Sequence, residues 1–266
     1  MDKLFVITWT AFQETLRRRV FYIVLLLAVL VIIGIGSQLF YLRMARQAGE
    51  TDTLIRIGSG MVQGVFGVWD FAALFLALFL GAIGVSSEIS AKTIIHVLSR
   101  PVERWVYLLG RWLGLLVFLL GFLMIGTLGA LAIAFWLHVP LASTLWLAMA
   151  EIYVHAIFFS GVALGFSVFL PPALAGALAF FLSVLPSIMR DAVHDPRPLH
   201  RIPALIAYCV GPAAMPVDLM SDSFAKQRLH TEYGLYLAVL GENFFYALAI
   251  LLVAAFIFRY REIRVR

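Results

Sequence analysis

Apolar runs of about twenty residues recur along the whole chain, and nothing else in the sequence constrains its fold as strongly. Bilayer hydrocarbon is about 30 Å thick and takes roughly 20 apolar residues of helix to cross. Runs near 20–40, 65–86, 112–137, 145–170 and 235–258 meet that length, and one near 173–189 is shorter and contains Pro186. Hydrophobic residues are 63% of the 266 and charged residues 13%, too few charges to clothe a water-soluble surface. The expected fold class is an all-α integral membrane protein with six transmembrane helices, residues 1–266 forming a single transmembrane domain.

The basic excess belongs to this topology. A net charge of +5 could point to nucleic acid, but the basic residues cluster beside apolar runs and no polar module carries a groove-reading surface; no nucleic-acid partner is expected. Cys209 is the single cysteine and cannot form an intrachain disulfide. The first residues, MDKLFVITWTAFQETLRRR, are mixed in polarity before any long apolar run, so no cleaved leader is expected and the first run should remain as an anchor. Phe5, Trp9, Phe12 and Leu16 share one side of a helical wheel while Lys3, Gln13, Glu14, Arg17 and Arg18 lie off it. Residues 1–19 therefore read as an amphipathic interfacial helix, its apolar stripe in the headgroup region.

Proline and positive charge order the rest. Pro171 and Pro172, with no amide hydrogen to continue a helical ladder, force a tight turn between the fourth and fifth crossings, and His138, Pro140 and Ser143 make another after the third. The six-crossing topology puts residues 1–19, 87–111 and 259–266 on one side, with 12 Lys and Arg in 52 residues; the opposite side, 41–60, 138–144 and 190–234, has 8 in 72. The denser side is expected in the cytoplasm, with both termini. Within the outer segment 190–234, the stretch 202–219 is apolar but broken by Pro203, Gly211, Pro212 and Pro216. It reads as re-entrant or interfacial, because a seventh crossing would carry the C-terminal arginines outside.

Three carboxylates stand inside apolar runs: Asp70, Glu151 and Glu242. A charge there costs about 2.5–3.5 kcal/mol at a helix centre and tends to mark a pair or a pathway. All three fall at similar depth toward the outer side, and His155 is one turn from Glu151 on the same face. Snorkelling or helix–helix contact, a hydrated outer vestibule, and a metal or proton site are the alternatives; two ligands alone make no metal site. His194, Asp195 and His200 fit a solvated, proline-stiffened loop. Trp69, Trp105, Trp112, Trp136 and Trp146 lie near expected helix ends, where interfacial anchoring suits them.

The segment 86–111, SSEISAKTIIHVLSRPVERWVYLLGR, is the most informative. Glu88 and Lys92 are spaced for an i,i+4 pair, and Ile94, Val97 and Leu98 can form an apolar ridge on a short helix. Pro101 pushes Arg100 from the helical region and suits the first position of a next helix carrying Glu103 at its third. An ordinary loop and a lever offering its ridge to a cytoplasmic partner both fit these residues. Here the sequence resembles the type-2 permeases of ATP-binding cassette (ABC) transporters, in their NosY-like branch. Their signature, E-x-x-x-x-T-I-x-x-x-L-S-x-P-V-x-R-x-x-x-L-x-G-R/K, is matched by Glu88, Thr93, Ile94, Leu98, Ser99, Pro101, Val102, Arg104, Leu108, Gly110 and Arg111. The opening TAFQETLRRRVFYIVLLL and the close YALAILLVAAFIFRYREI are also similar to that branch.

The resemblance implies a permease subunit, paired with a second permease copy and docked on a cytoplasmic ABC ATPase. Residues 87–104 would be its coupling helix, with Glu88, Lys92, Ile94, Val97, Leu98, Pro101 and Arg104 as the residues that connect to the ATPase. No G-x-x-x-x-G-K-[ST] occurs in the sequence, so ATP and magnesium are expected on the partner chain and no cofactor on this one. Of the other classes, an intramembrane enzyme lacks H-E-x-x-H and a glycine two before Ser160. A secondary transporter would be expected to show repeated halves.

Overall fold

The computed structural model describes residues 3–36, 51–90, 103–136, 138, 145–189 and 233–260. All elements among them are helices: α1 (Lys3–Arg17), α2 (Arg19–Gly36), α3 (Thr51–Gly84), α4 (Ser86–Ser90), α5 (Arg104–Trp136), α6 (Leu145–Ser167), α7 (Pro172–Met189) and α8 (Tyr233–Tyr260). Among the described residues, four stretches are long and apolar enough to cross a membrane: Ile57–Ile89, Arg104–Trp136, Leu145–Ser167 and Gly234–Tyr260. Two further apolar stretches, Arg19–Gly34 and Pro172–Leu182, are shorter. Lys92, Ile94, Val97, Leu98, Pro101, Cys209 and most of the 190–234 segment lie outside the described residues.

Helices α3, α5 and α6 form the centre of the bundle, with α8 on α6, α2 on α3, and α7 against both α3 and α6. The core is made of their inward faces, among them Phe66, Leu76, Leu119, Leu123, Val162 and Ala163. Outward faces stay apolar and open: Leu26, Leu30 and Ile33 of α2 and Phe245, Leu252 and Phe256 of α8 are each more than half exposed. In water such a surface would aggregate; in a bilayer it is the solvated side.

Two helices outrun the expected crossings. α3 begins at Thr51 rather than near 65, and α5 at Arg104 rather than near 112. No proline stands in either added stretch, so nothing breaks the helical ladder and it continues. This also places Glu103 just before α5, where its carbonyl accepts from the Tyr107 amide at 3.1 Å, and not at a third helical position. The extension carries Trp69 and Trp112 into the core as well. Trp69 is 9% exposed and packs edge-on against Phe122, with centroids 4.5 Å apart. Trp112 is 5% exposed and donates to Ser160 Oγ at 3.3 Å. They anchor helix packing, whereas Trp105, Trp136 and Trp146 remain exposed.

α1 leaves part of its aromatic stripe open and packs on its neighbour by small residues. Phe5 and Trp9 of the aromatic stripe are exposed, and Ala11 and Thr15 are the buried residues. Ala11, with Ile7 and Thr8, lies against Gly110 and Gly114 of α5, a small-xxx-small pair that lets two backbones approach. A Cβ on Gly114 would fall 2.6 Å from both Ala11 Cβ and Thr8 O and 3.0 Å from Phe12 N. Since backbone cannot swing aside, Gly114→Ala is expected to lose about 1–3 kcal/mol through overpacking despite Ala's better helix propensity. Gly121→Ala on the same helix, where a Cβ meets nothing within 4 Å, is expected to be neutral or stabilising. Thermal melting of the two variants in detergent checks this; equal melting temperatures would contradict the close approach.

At the other turns the local chemistry is plain. Pro172 opens α7 after a turn in which the Leu170 amide donates to Phe166 O at 3.0 Å, and Ala175 N reaches Pro171 O at 3.0 Å. Between α3 and α4, Ser86 Oγ donates to Ala82 O at 2.8 Å and Ser87 Oγ to Ile83 O at 2.7 Å. Back-bonding of this kind bends helices, and it brackets the break at Val85.

Candidate functional site

The break at Val85 is where four helices are tied together. Glu14 extends from α1, which leaves α2 by a one-residue step at Arg18. Its Oε1 accepts from Arg18 Nη2 at 2.5 Å, and its Oε2 pairs with Arg111 Nη1 of α5. Arg111 Nη2 pairs with Glu88 Oε1 of α4 and donates to Gly84 O, the last residue of α3, at 2.9 Å. Tyr107, one turn before Arg111 and 2% exposed, donates its hydroxyl to Glu88 Oε2. One planar guanidinium thus spans two carboxylates from different helices and covers a helix-end carbonyl, which its fixed fork of donors suits.

The cluster is charge-balanced: two carboxylates, Glu14 and Glu88, against Arg111 and Arg18. The Arg111 side chain is 10% exposed and that of Glu88 17%, while Glu14 is the most open at 44%. Burial alone pushes the Glu14 carboxyl up, but the hydrogen bond and charge of Arg111, with the charge and hydrogen bond of Arg18, together outweigh it and hold the group below its ordinary 4.5. At neutral pH Glu14 is therefore ionised and paired.

A second tie lies two turns away. Arg104 Nη1 donates to Phe258 O at 2.8 Å and to Arg259 O at 3.3 Å, and its guanidinium sits 5.7 Å from the Phe258 ring centroid. A cation on the final carbonyls of α8 is favoured by the helix dipole. Of the seven residues expected to connect to an ATPase, Glu88 and Arg104 are therefore placed, each holding α5 to a neighbouring helix; the other five lie outside the described residues.

Deeper in the bundle, Asp70 of α3 and Glu151 and His155 of α6 come together. With Gln63 and the glycines at 60, 64 and 67 they line a cavity of about 500 Å³ between the two helices. Glu242 is not among its lining residues and is exposed on α8. Among the described residues, no three His, Cys, Asp or Glu side chains are grouped to hold a metal ion. Ser160 is fully buried and donates to Ile157 O at 2.8 Å, a packing role.

Sequence reasoning passed over Glu14, Tyr107 and the task of Arg111. Two signals stood in the sequence: an arginine within a helix that runs on into apolar residues needs a partner, and GRWLG at 110–114 is a G-x-x-x-G pair that needs a close neighbour.

A helical bundle with an apolar exterior, four helices long enough to cross a bilayer among its described residues, and a cavity lined by Asp70, Glu151 and His155 is a polytopic membrane protein. A family model described as ABC-2 family transporter protein matches residues 5–258, and the chain belongs to that family. It is a membrane subunit of an ABC transporter, a component that in general works with an ABC ATPase and is generally not itself catalytic. No curated protein matches the chain.

Proposed function

We propose that this chain is the membrane subunit of an ATP-driven exporter, of the NosY-like branch, in which residues 87–104 transmit the work of a separate cytoplasmic ATPase. The observation that carries the reading is the convergence of α1, the end of α3, α4 and α5 on Arg111. A force on the segment that begins at α4 would reach three helices at once through that residue. Arg104 would pass the same displacement to α8. In this scheme α2 and α7 complete six crossings, both termini are cytoplasmic, and a second permease copy completes the pathway. Asp70, Glu151 and His155 form a wetted part of the pathway toward the outer side, and Glu242 of α8 stands outside the cavity that they line.

Affinity purification of the tagged chain from native membranes in mild detergent tests the assignment. An ABC ATPase is expected in roughly stoichiometric amount, with ATP hydrolysis inhibited by vanadate. Recovery of the intact chain without any such ATPase would overturn the reading.

The orientation has its own check. Single cysteines placed at Ser90, Ser223 and Val265 in a Cys209→Ser background are expected to separate cleanly with a membrane-impermeant thiol reagent on intact cells. Ser223→Cys should label, and the other two only after permeabilisation. Labelling of Ser90→Cys or Val265→Cys in intact cells would reverse the topology.

A further inference from the structure

The start of α5 and the end of α8 enclose a pocket of about 730 Å³ lined by Glu103, Arg104, Trp105, Ala255, Phe256 and Arg259. Its chemistry is divided in two. At one end stand two guanidiniums against one carboxylate, and that carboxylate, on Glu103, is taken up by the Trp105 indole N–H. Arg259 is exposed, its guanidinium 6.0 Å from the Tyr260 ring centroid. At the other end the surface is apolar: Leu252, Val253 and Phe256 of α8 are 58%, 59% and 64% exposed. Trp105 and Tyr260, 51% and 66% exposed, flank the boundary between the two, the level at which amphipathic rings meet lipid headgroups.

We propose that this pocket binds the headgroup of an anionic phospholipid, its phosphate against Arg104 and Arg259 and its acyl chains along Leu252, Val253 and Phe256. A soluble phosphate would have use for the guanidiniums alone; the exposed apolar strip directly adjoining them fits a ligand that has both a charge and a hydrocarbon tail. Arg261, Arg264 and Arg266 follow within six residues of Tyr260 in the sequence, a density of basic residues that anionic headgroups attract at a membrane surface. Because Arg104 also holds the last carbonyls of α8, the lipid would sit on the joint between α5 and α8. The inference rests on these two helices spanning a membrane, and not on which side their basic ends face.

The test is equilibrium binding to the purified full-length chain in neutral detergent, using dioctanoyl phosphatidylglycerol, dioctanoyl phosphatidylcholine and inorganic phosphate as probes. The anionic lipid is expected to bind about tenfold tighter than the zwitterionic one, and Arg259→Gln to weaken it about fivefold, the scale of one basic residue at an anionic surface. Ala255→Trp, which fills the pocket without altering charge, is expected to weaken it comparably and decides the matter should Arg259→Gln fail to fold. Arg19→Gln, a basic residue at the α1–α2 step outside the pocket, should leave binding unchanged. Equal binding of the two lipids, an equal loss in Arg19→Gln, or undiminished binding in Ala255→Trp would overturn the site. Phosphate competing as tightly as the anionic lipid would assign it to a soluble anion instead.

Discussion

Arg111→Ala is expected to lower the stability of the purified chain by about 3–5 kcal/mol, the cost of leaving buried charges without their partner. The substitution takes the guanidinium from Glu88, which is 17% exposed and keeps the Tyr107 hydroxyl, and removes the donor from Gly84 O at the end of α3. It also leaves Glu14 with Arg18 alone. Arg111→Lys should recover only part of the loss, because a single ammonium lacks the planar fork that reaches two carboxylates on different helices. Removing the whole set, with Glu14→Gln, Glu88→Gln and Arg111→Met together, should restore most of the melting temperature, since a buried pair replaced by neutral groups costs little. That variant separates stability from transmission. If α4 drives α5 through this cluster, it folds but does not couple ATP hydrolysis to transport; normal coupling would show the cluster to be architectural only.

The same cluster has a pH sign. Glu14's carboxyl is held below its ordinary 4.5 in the folded protein, so its contribution is present above 4.5 and is lost as pH falls through the lower folded value. The difference in melting temperature between wild type and Glu14→Gln should therefore shrink on acidification and be full at neutral pH. A difference that grew toward acid would mean that Glu14 is not the ionised partner of Arg111.

Replacing Ile94 and Leu98 together by Ser is expected to weaken docking of the ATPase by a factor on the order of a hundred or more. Burying one such side chain contributes about 1.5–3 kcal/mol, and each 1.4 kcal/mol is tenfold in affinity. Both residues follow α4 in sequence, in the segment whose start is fixed by Glu88 and whose end meets α5 at Arg104. The bundle itself is expected to keep its fold, because the inward faces of α3, α5 and α6 already fill the core between them. Retention of the ATPase by the immobilised permease, read beside a size-exclusion profile of the permease alone, measures the effect. Wild-type retention together with ATP-driven transport would reduce residues 87–104 to a connecting loop and remove the main support for the coupling scheme.

What could be read from the sequence and what could not divide along a physical line. Membrane residence, helical class, the turn at Pro171 and Pro172 and the presence of an amphipathic first helix follow from sums over neighbouring residues: run length, charge density, a missing amide hydrogen. Such terms are local, and they were legible residue by residue. Helix ends were misjudged where polarity was taken as a boundary, because a helix continues into water wherever nothing breaks its ladder; that shift carried Trp69 and Trp112 from the expected interface into the core. Which face of α1 packs on α5 was not read from the sequence at all: aromatic residues mark where lipid is met, and small ones mark where another backbone is.

The clasp and the cavity depend on which helices meet. Arg111 lies 97 residues from Glu14 and 23 from Glu88, and only the packing of α1 on α5 beside the end of α3 brings the three together. Asp70, Glu151 and Glu242 were alike in the sequence, each a carboxylate at similar depth. The tertiary structure parts them, giving Asp70 and Glu151 a shared cavity with His155 and leaving Glu242 outside it, because depth along a helix axis is set by the number of residues from its end while rotation toward a neighbour is set by the packing of the whole bundle.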